Sequence, residues 1–202
     1  MKNNRWFSVF YMLIVTAFFS SIIIGLSIAT REQVKANETL ALEKAVLQVF
    51  TGLYKEGMSG TQIHQQFMDE VILPSEKTGN AWTIKDSSGR QAYAVPLNGQ
   101  GFWASIKGVI GIAEDRETVT GIAFYEQNET PGLGAEIEKA SWREQFKEKK
   151  LSVGEKVLIM KRPGETVGEH EVNAVTGATQ TSVRLAKIID DSVTQWRQKM
   201  RP

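Results

Sequence analysis

The amino-acid sequence predicts one membrane-spanning helix followed by a single mixed α+β domain. Three observations predict this fold class. Residues 6–30 contain no charged side chain, whereas the rest of the 202-residue chain has an ordinary globular composition. That remainder is long enough for one domain with its own core. Predicted strands come before a mixture of strands and helices, without a repeated strand–helix–strand unit, which favours an α+β fold over a doubly wound parallel sheet.

The uncharged segment at residues 6–30 exceeds the ~20 residues that a helix needs to cross a bilayer. The alternative is a cleaved signal peptide, because Ser27 and Ala29 are small residues with the spacing of a cleavage site. The apolar region of a signal peptide, however, is usually only ~7–15 residues long. The length therefore favours a retained membrane anchor, which we assign to residues 1–30.

The charges around this segment predict its orientation. Lys2 and Arg5 precede it, while the basic residues that follow it lie among Glu32 and Glu38. Basic residues near the end of a membrane helix favour the cytoplasmic side. We therefore expect a cytoplasmic N-terminus and a C-terminal domain on the other side of the membrane.

After the anchor, the period of the apolar residues defines the elements. Residues 31–55 are rich in helix formers and predict a helical stalk that ends near Gly52. Residues 56–202 form the predicted domain, and its last helix carries one apolar stripe that includes Trp196. Helices are predicted at residues 61–73, 136–146 and 181–196, and strands at residues 81–85, 91–97, 102–113, 118–125 and 156–161.

The predicted strands form two hairpins. A Ser-Ser-Gly turn at residues 87–89 joins the first two strands, and residues 114–117 join the next two. Gly108, Gly111 and Gly121 lie inside the strands of the second hairpin. Glycine in a strand indicates a bulge or the close approach of another backbone segment.

Composition excludes several classes of function. The 24 basic and 23 acidic residues give a net charge of +1, whereas a protein that binds nucleic acid through phosphate contacts is visibly basic. The chain has no cysteine, which excludes disulfides, thiolate metal sites, iron–sulfur clusters and a catalytic thiol. His64 and His170 are too few for a multi-histidine metal site, and neither has a recognisable partner for acid–base catalysis. We predict no metal site and no catalytic residue, so any redox chemistry requires an organic cofactor.

Three glycine-containing loops are candidates for ligand binding. The first, at residues 96–103, contains Gly-x-Gly. It lacks the third glycine and the following helix of a dinucleotide-binding loop. Taken alone, this loop indicates a turn that enters a strand.

The second loop, at residues 129–134, has the sequence ETPGLG. Proline followed by glycine sets a tight turn, on which polar side chains are well placed to hold the polar edge of a ligand and a leucine to pack on an apolar face. A plain connection between a strand and a helix is the alternative. The residues that we assign to a cofactor site here are Glu129, Thr130, Leu133 and Gly134.

The third loop, at residues 175–182, runs directly into the last predicted helix. A helix N-terminus exposes unpaired N–H groups and the positive end of the helix dipole, which attract an anion such as phosphate. Simple capping, the alternative, needs one hydroxyl, and this loop has four. The Gly-Lys-Ser/Thr ending of a P-loop is missing. The residues that we assign to the phosphate site are Thr176, Gly177, Ala178, Thr179, Thr181 and Ser182.

One N-terminal membrane helix, Gly-x-Gly-x-Trp at residues 99–103, ETPGLG and a terminal TGAT together resemble the FMN-binding domain family. The resemblance covers residues 31–202 and the anchor. Members of this family include one flavin-carrying subunit of the Na⁺-translocating NADH:quinone oxidoreductase (Nqr) and one of the related Rnf electron-transport complex. The GQGFW motif and residues 121–137 look closer to the Nqr member, whereas the short length is more like the Rnf member, so both complexes stay open.

The resemblance implies a covalent cofactor. In this family a flavin transferase attaches FMN through its phosphate to the last threonine of Ser/Thr-Gly-Ala-Thr, which is Thr179 here. Residues 129–134 are then expected to cover the isoalloxazine ring or the ribityl chain.

The implied function is that of an electron-carrier subunit in an ion-translocating Nqr- or Rnf-type oxidoreductase. The resemblance implies that the chain lies in the bacterial inner membrane, with its domain in the periplasm. The implied partners are the other membrane subunits of the complex. No complete reaction is expected from this chain alone.

Two positions depart from the family pattern. Asn173 stands where the family has an aspartate three residues before TGAT, so a charge that bears on the flavin transferase is lost. The commonly apolar position after TGAT is Gln180. A different class of function also stays open, namely a membrane-tethered sensor or scaffold that binds a phosphate-containing ligand non-covalently. That interpretation gives no reason for residues 176–179 and 129–134 to meet in space.

Overall fold

The computed structural model of the chain confirms the predicted fold class: a long apolar N-terminal helix is followed by a mixed α+β domain. The chain separates into two compact units, Met1–Thr39 and Leu40–Pro202. The predicted turn at residues 87–89 lies outside the described residues. The structure describes residues 5–85, 91–154 and 156–201.

The first helix, α1, runs without interruption for 45 residues, Arg5–Val49. Within the part of the chain that the structure describes, it is the one helix long and apolar enough to cross a membrane. It ends at Val49 rather than near Gly52, and its residues 45–47 are buried in the core of the second unit. The predicted boundaries of anchor, stalk and domain (1–30, 31–55 and 56–202) stay a prediction.

Over the described residues, the domain contains six strands: β1 Trp82–Lys85, β2 Gln91–Gln100, β3 Ser105–Ile112, β4 Val119–Glu126, β5 Ile159–Lys161 and β6 Glu171–Asn173. The first four form an antiparallel sheet in the order β1-β2-β3-β4, which confirms both predicted hairpins. β5 and β6 form a separate parallel pair. β5 is shorter than predicted because the N–H groups of Val157 and Leu158 donate to the Asp190 carboxylate instead of to a strand.

Two glycines explain how α1 ends on the sheet. Gly111 of β3 is paired with Gly121 of β4, and a Cβ on Gly111 would lie 2.7 Å from the Val49 carbonyl oxygen. The Thr120 hydroxyl donates to the same carbonyl at 2.6 Å. The predicted close approach of another backbone segment is therefore confirmed. The ladder between β3 and β4 also shows the predicted bulges.

Helices cover both faces of the four-stranded sheet. The second helix, α2 (Gly60–Glu70), packs together with the end of α1 on one face, which presents small side chains such as Ala94 and Ala123. A long C-terminal helix (Thr179–Lys199) covers the other face, which presents larger side chains such as Ile110. This alternation follows from the two-residue period of a strand.

The predicted helix at residues 136–146 is wrong. The segment contains a 3-10 turn, Gly134–Glu138, a single helical turn, α3 (Ala140–Arg143), and a second 3-10 turn, Glu144–Phe146. Lys139 between them is extended, with φ −64° and ψ 131°, and this interrupts the helix. The interruption allows both Ile137 and Phe146 to be fully buried. The long helix that follows at Thr179–Lys199 is α4.

Candidate cofactor site

The N-terminus of α4 is reached through the loop at residues 175–178. The helix begins at Thr179, two residues before its predicted start, and Ala178 occupies the N-cap position without a side-chain hydrogen bond. Alanine offers no oxygen to the first N–H groups of the helix, which therefore keep their capacity to bind an anion. Thr179 is exposed, so its side chain lies in solvent at the positive end of the helix dipole.

The four hydroxyls of this loop divide into two pairs. Thr181 and Ser182 are buried. The Ser182 hydroxyl joins two backbone groups of the loop, accepting from an N–H at 3.0 Å and donating to a carbonyl at 2.9 Å. Thr176 and Thr179 are exposed. One pair therefore holds the loop in place, and the other is accessible for chemistry.

A buried carboxylate joins the loop at residues 129–134 to α4. Glu129 is 4% exposed, and its Oε2 accepts a hydrogen bond from the Thr181 hydroxyl at 2.6 Å. Its Oε1 accepts a hydrogen bond from the backbone N–H of Trp103 at 3.1 Å. The three glycine-containing loops, which are far apart in the sequence, therefore meet at one side chain.

A second contact brings residues 176–179 and 129–134 together. Gly177 has a φ of +74°, which glycine adopts without strain. A Cβ at this position would lie 2.9 Å from Cδ2 of Leu133, so the two loops approach more closely than larger residues allow. These two loops therefore meet in the structure. The sensor or scaffold interpretation gives no reason for them to meet.

The loops line a pocket of about 340 Å³, and eight of the ten predicted site residues contribute to it; Thr176 and Ser182 do not. The predicted list omits Phe102 and Trp103, whose rings meet edge to face at 5.0 Å on the rim. Trp103 is 66% exposed, and its indole N–H donates to the Thr130 hydroxyl at 3.1 Å. The Gly-x-Gly-x-Trp motif, through its resemblance to the family, was the sequence feature that pointed to Trp103. The loop taken alone indicated only a turn.

Two larger pockets, each of about 480 Å³, lie elsewhere on the domain. Both are next to the end of α1, where Phe50 and Thr51 contribute to each of them. Neither contains any residue that the sequence assigns to a cofactor site. The smaller pocket, at the N-terminus of α4, is therefore the candidate site, because it contains the predicted cofactor-binding residues although it is not the largest.

Asn173 lies at the end of β6, outside this pocket. Its backbone carbonyl accepts hydrogen bonds from the Trp142 indole at 3.1 Å and the Gln145 amide at 3.0 Å. Its side-chain Oδ1 is buried and has no hydrogen-bond partner among the described residues. The backbone at this position is thus held by two side chains, and nothing in the structure explains the asparagine.

Both histidines lie outside the pocket. His64 Nδ1 is 2.8 Å from a carboxylate oxygen of Glu43, a partner that the sequence did not reveal. His170 Nδ1 is 2.6 Å from the carbonyl oxygen of Lys150. Over the described ranges, no group of three or more His, Asp or Glu side chains could hold a metal ion.

The geometry defines a class of site. An exposed hydroxyl at a helix N-terminus suits a phosphate ester. A pocket of this size with aromatic and leucine side chains on its rim suits a planar ring system. A Cβ at Gly177 would collide with Leu133, and a Cβ at Gly134 would collide with Thr181 and Glu129, so the two glycines allow the loops of the site to close on each other. These residues fit a nucleotide with an aromatic ring, such as flavin mononucleotide.

Comparison with known proteins agrees with this class. Residues 101–194 match the FMN-binding domain family. NqrC, a subunit of the Na⁺-translocating NADH-quinone reductase, is 31% identical in Haemophilus ducreyi over 183 residues, which cover 82% of this chain and 70% of that protein. The corresponding protein of Vibrio vulnificus is 38% identical over 117 residues, 56% of this chain and 46% of that protein. The chain belongs to the FMN-binding domain family, together with these NqrC proteins.

Two crystal structures share the fold. NqrC from Parabacteroides distasonis superposes with a TM-score of 0.72 at 23% identity, covering 85% of this chain and 97% of that one. NqrC from Shewanella oneidensis superposes with a TM-score of 0.61, covering 82% and 98%. Against the full-length Vibrio vulnificus sequence, the matched part of this chain spans about half of the relative's length.

Proposed function

We propose that this chain is an electron-carrier subunit of an Nqr-type oxidoreductase complex and that it carries FMN attached through a phosphoester to Thr179. The observation that carries the proposal is the meeting of residues 176–179 and 129–134 around an exposed threonine at a helix N-terminus. A sensor or scaffold has no need of this arrangement. The NqrC relatives favour the Nqr-type over the Rnf-type complex.

Electrostatics explains why the site suits a phosphodiester. A phosphodiester keeps one negative charge, and the α4 N-terminus supplies N–H groups and a positive dipole end to stabilise it. Thr179 is the first residue of α4, so its side chain is placed where this stabilisation is greatest. Gly177 is exposed and leaves its backbone open to the phosphate, whereas Ala178 is buried.

The ring side of FMN is assigned to the loop at residues 129–134 and to the rim. Leu133 is 43% exposed and offers an apolar surface, and Thr130 is held by the Trp103 indole. When bound, FMN supplies the electron-transfer chemistry, so this chain needs no general acid or base. Its residues bind and orient the cofactor. We assign ion translocation to the assembled complex with its other membrane subunits.

The test of the proposal is the intact mass of the full chain, produced together with a flavin transferase. We expect the mass to exceed that of the polypeptide by one FMN phosphoester. The denatured chain should also fluoresce as a flavin in a gel. A preparation that has only the polypeptide mass after co-expression would contradict the proposal.

Leu133→Asp tests the ring-side assignment. The mass should still show FMN at Thr179, because the substitution leaves the attachment hydroxyl in place. The midpoint potential of the flavin should fall, since a negative charge beside the ring opposes its reduction. Spectroelectrochemical titration measures this potential. Val153→Asp is the matched control, because Val153 is 80% exposed and lies outside the pocket. Equal potentials in the two variants would remove Leu133 from the site.

We further propose that residues 6–30 anchor the chain in the bacterial inner membrane, with the domain in the periplasm. Protease added to intact spheroplasts is expected to digest the domain and to leave a short protected N-terminal fragment. The same protease added after detergent lysis is the control for digestibility. Complete protection of the domain before lysis would reverse the orientation, and a mature chain that lacks residues 1–30 would indicate a cleaved signal peptide.

A further inference from the structure

Glu129 is a buried carboxylate whose two oxygen atoms both accept hydrogen bonds from neutral groups. The donors, the Thr181 hydroxyl and the Trp103 N–H, belong to two different loops. Its own N–H donates to the Gln127 side chain at 2.6 Å, which fixes the turn from within. Burial of a carboxylate is costly, and a packed apolar side chain would avoid this cost. The role of the carboxylate is therefore to hold the loops in position rather than to stabilise the fold.

Two glycines shape the surrounding backbone to this carboxylate. A Cβ on Gly101 would lie 2.5 Å from Oε1 of Glu129. A Cβ on Gly134 would lie 2.9 Å from Oε2 and 2.6 Å from Oγ1 of Thr181. No side chain fits at either glycine without a shift of its neighbours. The loops on both sides are thus packed closely around the Glu129 carboxylate.

We propose that Glu129 is a positioning residue that fixes Thr179 relative to the ring side of the pocket. The inference rests on the proposed function. Thr181 lies in the same first turn of α4 as Thr179, so the bond from Glu129 restrains the attachment point. The bond from the Trp103 N–H fixes the loop whose indole holds Thr130. One carboxylate thereby sets the distance between the phosphate end and the ring end of the site.

The consequence is restricted motion of the tethered flavin. A cofactor attached only through its phosphate retains the rotational freedom of its ribityl chain unless the opposite wall is fixed. The two donors meet different oxygens of Glu129, so a carboxylate accepts both bonds, one on each oxygen. Glutamine keeps the bond from Trp103 and meets Thr181 with its amide, so it should preserve most of the geometry. Alanine removes both bonds.

The experiment is time-resolved fluorescence anisotropy of the flavin-loaded full chain in detergent, with intact mass measured on each sample. Glu129→Ala should raise the amplitude of the fast, nanosecond depolarisation about twofold, because the loop walls become free to move on that timescale. Glu129→Gln should restore nearly the wild-type value. Thr181→Val should fall between them. Its effect should vanish in the Glu129→Ala background, because the two residues act through one bond.

Glu136→Ala is the control, since Glu136 follows the same loop but pairs with Lys139 on the surface. If Glu129→Ala does not fold, Thr181→Val decides the question, because it removes the bond between Glu129 and Thr181 from the other side. Wild-type anisotropy in loaded Glu129→Ala or Thr181→Val, even with a lowered Tm, would overturn the positioning role while leaving Thr179 as the attachment residue. A wild-type chain without flavin would instead overturn the proposed function and this inference with it.

Discussion

Thr179→Ala is expected to abolish covalent attachment of FMN. Alanine removes the only oxygen through which the phosphoester at this position forms, so the loss should be complete rather than partial. Thr179 is exposed at the start of α4, and its hydroxyl holds no buried network, so the variant should fold normally. Intact mass and in-gel flavin fluorescence after co-expression with a flavin transferase measure the result.

Three matched variants make this result specific. Thr179→Ser keeps a hydroxyl in place and should retain flavin. Thr176→Ala removes the other exposed hydroxyl of the loop and should retain at least part of it. Thr181→Ala removes a buried hydroxyl that is already bonded to Glu129 and should also retain part. Full fluorescence in Thr179→Ala would place the attachment elsewhere and contradict the assignment.

The fold was largely predictable because local patterns determine it. Alternation and turn residues predicted the two hairpins, β1 with β2 and β3 with β4, but not the pairing of β2 with β3 that joins them into one sheet. Strand glycines predicted that a backbone approaches the sheet. The segment at residues 136–146 was not predictable in this way. Its composition favours a helix, but the burial of Ile137 and Phe146 on either side of a breaking residue, Lys139, decides the outcome. Tertiary packing overrides weak local preference there.

The sequence identified most residues of the candidate site but not the contacts between them. Four hydroxyls beside a helix N-terminus are visible in the sequence, but they look equivalent. Only the fold shows that Thr181 and Ser182 are buried in hydrogen bonds while Thr179 is exposed. Glu129 likewise looked like a group for holding a ligand. Its partners come from loops that the sequence places 26 and 52 residues away.

Trp103 shows a different limit. Its motif was visible in the sequence and by itself indicated an ordinary turn. The local sequence does not determine which residues a tryptophan after two glycines will contact. The antiparallel pairing of β2 with β3 brings that turn to the rim of the pocket. The place of the motif in the pocket therefore follows from the strand topology. From the sequence, only the resemblance to a family indicated that the motif has a function.

Trp196→Ala is expected to destabilise the domain by about 3–5 kcal/mol, the usual cost of removing a buried tryptophan. Trp196 is 2% exposed and lies on the apolar stripe of α4. Its ring packs against Tyr93 of β2 at 5.2 Å, and its indole N–H donates to the Thr78 carbonyl at 3.1 Å. The truncation removes both the ring contact with β2 and the hydrogen bond to the Thr78 carbonyl. Urea unfolding of the full chain in mild detergent, followed by circular dichroism, measures the loss.

Trp196→Phe separates the two contributions. It keeps an aromatic ring against Tyr93 and removes the indole donor from the Thr78 carbonyl. That carbonyl still accepts from the Ala81 N–H at 3.2 Å, so the lost bond should cost only about 0.5–1.5 kcal/mol. The turn at Gly79 closes tightly over the indole, since a Cβ there would lie 2.8 Å from Cδ1 of Trp196. Trp103→Ala is the matched control: the same residue type on the exposed rim should change the free energy of unfolding by no more than about 0.5 kcal/mol. Equal losses in Trp196→Ala and Trp103→Ala would contradict the packing of α4 on the sheet, because only a tryptophan inside the core can carry the larger cost.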